Sequence, residues 1–539
     1  MFNIPTVTVA SETLDLAAAS VTLTYAAPAG VAWTPRHLVL RWNARSSESM
    51  SEERGVSFRF NGDTGSNYNE QRMDGAASTA DALRATSATQ FNNLGVDTGD
   101  SAPANGFSSG EILLPDALST RSHKSVLGFA GAIEQRLRVG AGRWANTAAI
   151  TSITVTQDGY GEFKIGSTFE LCVVDESFNI NEQIKSSTGF FTVSSIPASN
   201  GDLVQIGNFK DARENAIANT ISMQLNGDTS SSYNGQRMLG VDSSPSAATL
   251  SAGTSAGVGH CPSSASGSVA AEYGAYVAHF PNYAAGSNDR AVISLGGYHI
   301  SYPYSLLSLY SNRWNNTAAI NSIKLFHLVG AAGGIGFVAG SMLSTYVVPK
   351  NLIGRVELTA DTRNVTFSSI PQTYDHLELT MYAKRDRAST SDSTFMYFNG
   401  DTTDANYDWQ RLLANSGGVS ASQNAASAYI GQNTASSSAA NIFATLTVTM
   451  PNYTKTDRHK SRLISNGELK DGEAILFSQR WESTAAITTI LMHGSGSTVK
   501  FTAGSVFELR GISAGTPPAA VSDIAALNDI APADIEAIN

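Results

Sequence analysis

The stretch RFNGDTGSNYNEQRM, residues 59–73, returns as QLNGDTSSSYNGQRM at 224–238 and as YFNGDTTDANYDWQRL at 397–412. A second stretch follows each copy: RWANTAAITSI at 143–153, RWNNTAAINSI at 313–323 and RWESTAAITTI at 480–490. The chain is therefore one unit written three times. Asn61, Asn226 and Asn399 stand 165 and 173 residues apart, and the whole chain has 539 residues. Units of that size can each bury a core of their own, unlike the short repeats of a solenoid.

The signature stretch sits at the end of a strand. In VSFRF (56–60), Val56, Phe58 and Phe60 alternate with Ser57 and Arg59, the period-two pattern of a half-buried strand. Asn61-Gly62 follows at once. Both residues tolerate positive φ, so the pair predicts a hairpin turn, as do Asn226-Gly227 and Asn399-Gly400. The matching third strand points Phe395 and Tyr397 outward, an apolar exception that predicts cover by another domain or subunit.

Other strands are read at VTLTYAAP (21–28), HLVLRWNAR (37–45) and FKIGSTFEL (163–171), with FVAGSMLST (337–345) and FTAGSVFEL (501–509) as counterparts of the last. The segments 76–110, 241–270 and 414–441 do not repeat and are rich in Ser, Ala, Gly and Asn, so long surface loops or weak strands are expected there. The divisions fall at 1–178, 186–347 and 354–514, followed by an acidic tail, 515–539. Three tandem all-β domains built of antiparallel strands are the expected architecture.

Composition narrows the partners. Charged residues make up 15% of the chain, the formal net charge is −11, and no basic stripe stands out. Nucleic acid is not an expected partner, because phosphate binding needs clustered Lys and Arg. Cys172 and Cys261 sit at non-matching places, which excludes a disulfide framework and a cysteine zinc site. The opening MFNIPTVTVASETLDL has no basic segment leading into an apolar run, so no signal peptide is expected. FHLVGAAGGIGFVAG, 326–340, is too short and glycine-rich for a bilayer span, and reads as two strands joined by a glycine turn. No membrane insertion, cofactor, metal or catalytic residue is expected. The Gly-x-Ser-x-Gly strings at 106–110 and 511–515 lack the strand-then-helix setting of a nucleophile elbow.

What recurs in every copy is expected to serve what the copies share, namely the fold; a sugar-binding role for the same Asp, Arg and Trp set is the alternative. The structural signature comprises Asn61, Gly62, Asp63, Tyr68, Arg72, Arg143 and Trp144 in the first copy. In the second it comprises Asn226, Gly227, Asp228, Tyr233, Arg237, Arg313 and Trp314. In the third it comprises Asn399, Gly400, Asp401, Tyr407, Arg411, Arg480 and Trp481. Each Asp is expected to pair with an Arg of its own unit, with the Trp stacked beneath the guanidinium. His123 and His459 lie eight residues past a proline where the second copy has Asp289, so that histidine is no obligatory ligand.

The combination of FNGDT-x-x-x-Tyr, RW-x-x-TAAI and the closing F-x-x-GS-x-FEL-x-GI (501–512) resembles a module of tailed-bacteriophage structural proteins, of the tail-fibre and minor-virion kind. The second copy departs from it at Leu343 and Thr345. The resemblance implies that the three tandem domains are antiparallel β-sandwiches, jelly-roll-like, in a non-enzymatic protein on the virion exterior, in contact with other virion proteins and assembled as a homo-oligomer such as a trimer. It implies host attachment through loops touching a surface glycan or protein. Capsid decoration or neck and tail scaffolding is the alternative, and glycan depolymerisation a third.

Overall fold

The computed structural model describes residues 4–512 apart from 49–52, 133–135, 158–160, 200, 215–217, 265–268, 287–288, 301–304, 328–334, 349–351, 469–472 and 497. The acidic tail and the end of the second Gly-x-Ser-x-Gly string lie outside them. The described residues form 36 strands and two single 3-10 turns, with no α-helix among them. Each repeat contributes one eight-stranded and one four-stranded antiparallel sheet, with the same strand order in all three.

In the first repeat the small sheet runs in the order β2 (Ser20–Thr24), β11 (Ser152–Gln157), β4 (Glu53–Phe60), β7 (Phe91–Thr98). Facing it, the large sheet runs β1 (Thr6–Thr13), β12 (Thr168–Val174), β3 (Leu38–Ala44), β8 (Ser108–Leu114), β9 (Lys124–Ala132), β10 (Arg136–Trp144), β5 (Tyr68–Ala76), β6 (Thr79–Ala88). From β2 to β5 the chain changes sheet at every turn, as a jelly roll does. The meander β8-β9-β10 occupies the place of a single strand, and β1 and β12 extend the large sheet. The fold is thus three tandem β-sandwiches of jelly-roll type.

The Asn-Gly turns have the positive φ expected of them: 50° and 66° at Asn61-Gly62, 52° and 69° at Asn226-Gly227, 51° and 76° at Asn399-Gly400. They do not close hairpins. β4 pairs with β7 and β11, whereas β5 joins the other sheet, so each turn is a corner between layers. Local chemistry sets the φ values, but the competition for pairing partners decides where the chain goes next.

The interval read as a boundary at 177–188 contains β13 (Asn179–Ile184), which pairs with β24 (Met342–Val348) and so opens the second repeat. β25 (Leu352–Glu357) opens the third in the same way. Both are half-exposed edge strands with no fully buried residue, and so read as linkers in the sequence. The non-repeating, Ser-rich segments also form strands: β6 and β7, then β18 (Ser244–Gly253) and β19 (Ala256–Pro262), then β30 (Gly418–Asn424) and β31 (Tyr429–Thr434). Phe395 and Tyr397 are covered, but within their own repeat: His493 stacks on both rings, and the Tyr397 hydroxyl donates to Asp404 at 2.7 Å. The apolar run at 326 enters β23 (Ile323–His327), and His327 pairs with Ile335; residues between them lie outside the description.

Each sandwich encloses its own core, and a fourth core lies where the three outer faces of the large sheets meet. Equivalent positions supply it: Met73, Met238 and Leu412; Leu127, Ile293 and Leu463; Val139, Leu309 and Leu476. Strands such as RLRVGAGRW are consequently buried on both faces. Fully burying a side chain of this size contributes roughly 1.5–3 kcal/mol, so this shared core binds the repeats into one body.

The repeats close into a ring, each gripping the next by the same bonds. The backbone N–H of His123 donates to Ala271 at 2.9 Å, that of Asp289 to Asn441 at 3.3 Å, and that of His459 to Asn105 at 2.8 Å. His37 meets Ser344 at 3.2 Å, Arg510 meets Asp202 at 2.6 Å, and His376 meets Glu170 at 3.0 Å. Gly131 lies against Ser478, Gly467 against Ser311 and Gly297 against Ala141, each with no room for a Cβ. A head-to-tail contact that returns to its start generates a closed ring, here with three members in a single chain.

Candidate functional site

The signature residues form a brace at the sheet-to-sheet corner. Asp63 does not pair with an arginine. Its carboxylate accepts from the Trp144 indole N–H at 2.7 Å, from Asn67 at 2.9 Å and from the Gly65 backbone at 2.8 Å. Asp228 takes the Trp314 indole at 2.6 Å and Asp401 the Trp481 indole at 2.8 Å. Hydrogen bonds to the charged form hold all three carboxyls below the usual carboxylate range, against the opposing effect of burial.

The indoles stack on Tyr68, Tyr233 and Tyr407, with interplanar angles of 20°, 16° and 14°. Each tyrosine hydroxyl in turn caps the corner, accepting from the backbone N–H of Phe60, Leu225 or Phe398 at 2.9–3.0 Å. Asn61 ties the corner to the TAAI loop by donating to Ala149 and accepting from Thr151 and Ser152; Asn226 and Asn399 do the same. The expected Asp–Arg pairing over a Trp is replaced by an Asp–Trp bond because the arginine precedes the tryptophan on its strand. Neighbouring strand residues point to opposite faces: Trp144 faces inward and Arg143 faces the next repeat.

Arg143 there meets the buried Glu272 of the second repeat. Arg313 instead pairs with Asp289 at 2.9 Å, and Arg480 with Asp408 at 2.6 Å. Arg72 lies 3.4 Å from Asp74, and Arg411 donates to Ser422 at 2.6 Å. All of these are structural ties. Cys172 and Cys261 are buried free thiols. No group of three or more metal-ligating side chains occurs among the described residues.

Arg237 has a different setting. It borders an open groove of about 470 Å3 in the second repeat, between β17 (Tyr233–Val241) with its partner β18 and the edge strand β19. Asn219, Asn234, Asn312, Thr249 and Tyr310 are among the lining residues, and none of the lining residues is acidic. The floor is held by His260, which stacks at 30° on Tyr310 and lies 3.2 Å from Thr220. Burial, and secondly the charge of Arg237, push His260 down to about 3, so it is neutral.

The three copies fill the equivalent region differently. The third repeat fills the same region with Trp409, Tyr429 and Phe477 in edge-to-face contact. The first has Gly140 and Gly142 there, close under Leu94 and Phe91. The second has Gly235 where the third has Trp409, and Asn312, a lining residue, packs over that glycine with no room for a Cβ. Sequence reading passed over Gly235, Tyr310, Asn312 and His260. The available signal was the mismatch Glu70, Gly235, Trp409 at one position of three otherwise similar strands.

A smaller cavity of about 40 Å3 lies between the first and third repeats, beside Arg41, Glu111, Glu170 and His376. It has room for a water molecule or two, and belongs to the ring interface.

No family model matches the chain, and no curated protein matches it. Among solved structures, the botulinum neurotoxin serotype D binding domain shows 8% identity and a TM-score of 0.10 over 61% of this chain and 97% of its own. The structure of the entire lipid-containing bacteriophage PM2 shows 8% and 0.09 over 93% and 99%. The triple jelly roll of an archaeal virus turret assembly shows 8% and 0.10 over 96% and 91%. At such scores none of these likenesses carries an argument about this chain.

Proposed function

We propose that this chain is a non-enzymatic structural component on the exterior of a tailed-phage virion, and that it mediates host attachment. The observation that carries the reading is one ring of three jelly-roll sandwiches in which the corner brace is common to all copies while the second copy departs from the others in its open groove. A rigid, repeated scaffold with one divergent recess is how binding surfaces are commonly built. The FNGDT and RW-x-x-TAAI strings support the virion setting by resemblance. The absence of a carboxylate from the groove's lining speaks against a two-carboxylate sugar cleavage there. The partners under this reading are other virion proteins at one face and a host surface glycan or protein at the other.

Purified chain added to susceptible cells tests it. Attachment predicts saturable cell binding and protection from infection by the phage that carries the protein. Absence of both, with labelled protein found on assembled particles, would move the role to capsid decoration or tail scaffolding.

A further inference from the structure

We propose that the groove of the second repeat binds a saccharide bearing a carboxylate, with Arg237 as the group that holds the acid; the proposal deepens the attachment reading and rests on it for its setting. The size suits a small ligand, since clefts of about 300–1,000 Å3 are typical of such sites and this one measures about 470 Å3. The lining suits a sugar. Asparagine amides and Thr and Ser hydroxyls supply both donors and acceptors.

The charge selects the acid. The chain carries a net −11, yet this recess presents an arginine and no carboxylate among its lining residues. The Arg237 Nε is buried and has no hydrogen-bond partner. A carboxylate in the recess would pair with this guanidinium where it lines the groove, by charge-assisted bonds. The equivalent Arg411 already gives its Nε to Ser422 at 2.6 Å; the Nε of Arg72 also lacks a hydrogen-bond partner, but it lies 3.4 Å from the Asp74 carboxylate. Of these three arginines, only that of the second repeat borders the open groove.

Calorimetric or NMR titration of the full chain with glucuronic acid, galacturonic acid and N-acetylneuraminic acid tests the proposal, with glucose, galactose, acetate and inorganic phosphate as comparisons. At least one acidic sugar is expected to bind at least tenfold more tightly than the neutral sugars and than acetate or phosphate. Arg237→Gln should weaken it at least tenfold. Ser251→Trp, a bulky change at an exposed position of the rim, should abolish it with an unchanged melting temperature. The proposal is overturned if no acidic sugar binds, if neutral sugars or simple anions bind equally, or if both folded variants bind as the parent does. Cell binding separates the two readings. If parent and Ser251→Trp bind cells alike, attachment stands and the groove proposal falls. If acidic sugars bind but cells do not, the groove proposal stands and attachment falls.

Discussion

The indole N–H of Trp144 donates to Oδ2 of Asp63 at 2.7 Å, joining the last residue of β10 to the corner that follows β4. The bond recurs in the other two copies. Replacing Asp63, Asp228 or Asp401 with Ala leaves a largely buried indole donor unsatisfied. Each change should cost about 1–3 kcal/mol in urea unfolding, the usual penalty for orphaning one partner. A loss below about 0.5 kcal/mol would mean that water replaces the carboxylate and that the brace is ornamental.

The ring contacts are tight enough to report on closure. A Cβ on Gly131 would lie 2.1 Å from the Ser478 Cβ, and no flexible group is available to yield. Gly131→Ala should destabilise by about 1–3 kcal/mol through overpacking. Ser478→Gly in the same chain should recover most of that loss. A double-mutant cycle with no coupling would place these two residues apart in solution.

The shared core predicts cooperativity between the repeats. Leu127→Ala, Ile293→Ala and Leu463→Ala should each cost about 2–5 kcal/mol. Each should shift the main calorimetric transition of the whole chain, since each side chain belongs to the core common to the three repeats. Three separable transitions, with only the mutated repeat affected, would contradict the common core.

Acid should weaken the protein in two stages. Burial pushes His123, His459 and His327 down to about 4, and His260 and His299 to about 3. Their folded pKa values lie below the unfolded value of about 6.5, so the unfolded chain binds more protons between roughly pH 6.5 and 4 and stability falls as pH drops through that window. The carboxyls of Asp63 and Asp401, with that of Asp74 against Arg138 and Glu170 against His376, are held below their ordinary values. Their contribution is present above the unfolded pKa near 4 and is lost on further acidification. Asp211, raised by burial to about 6, acts in the opposite direction. The melting temperature should therefore fall steadily from pH 7 to pH 4, and His123→Gln should flatten the upper part of that decline.

Much of this architecture was legible in the sequence. The alternation of Val56, Phe58 and Phe60 marks β4, and Asn61-Gly62 marks a turn with positive φ. The hairpin expectation failed because pairing is a competition among distant strands, and β11 and β7 win β4. The recurrence of Asp63 with Trp144 was visible, but residue types carry no direction. Only the pleat shows that Trp144 turns inward while Arg143 turns toward Glu272 of the next repeat. The edge strand at 179–184 was hidden by its half-exposed pattern. The ring left a faint trace, since β10 carries Leu137, Val139 and Ala141 on a face that an isolated sandwich would give to water.

The head-to-tail closure has a cost during synthesis. Asn43 accepts a bond from Arg458, which lies 415 residues further along the chain. At roughly 5–20 residues per second, the ribosome leaves the outer face of the first sandwich uncovered for tens of seconds after it has been made. During that interval its Met73, Leu127 and Val139 surface would accept the wrong partner as readily as the right one. Neighbouring nascent chains on one messenger are the nearest candidates, so chaperone holding, or the pace of translation, would decide how many rings close on themselves.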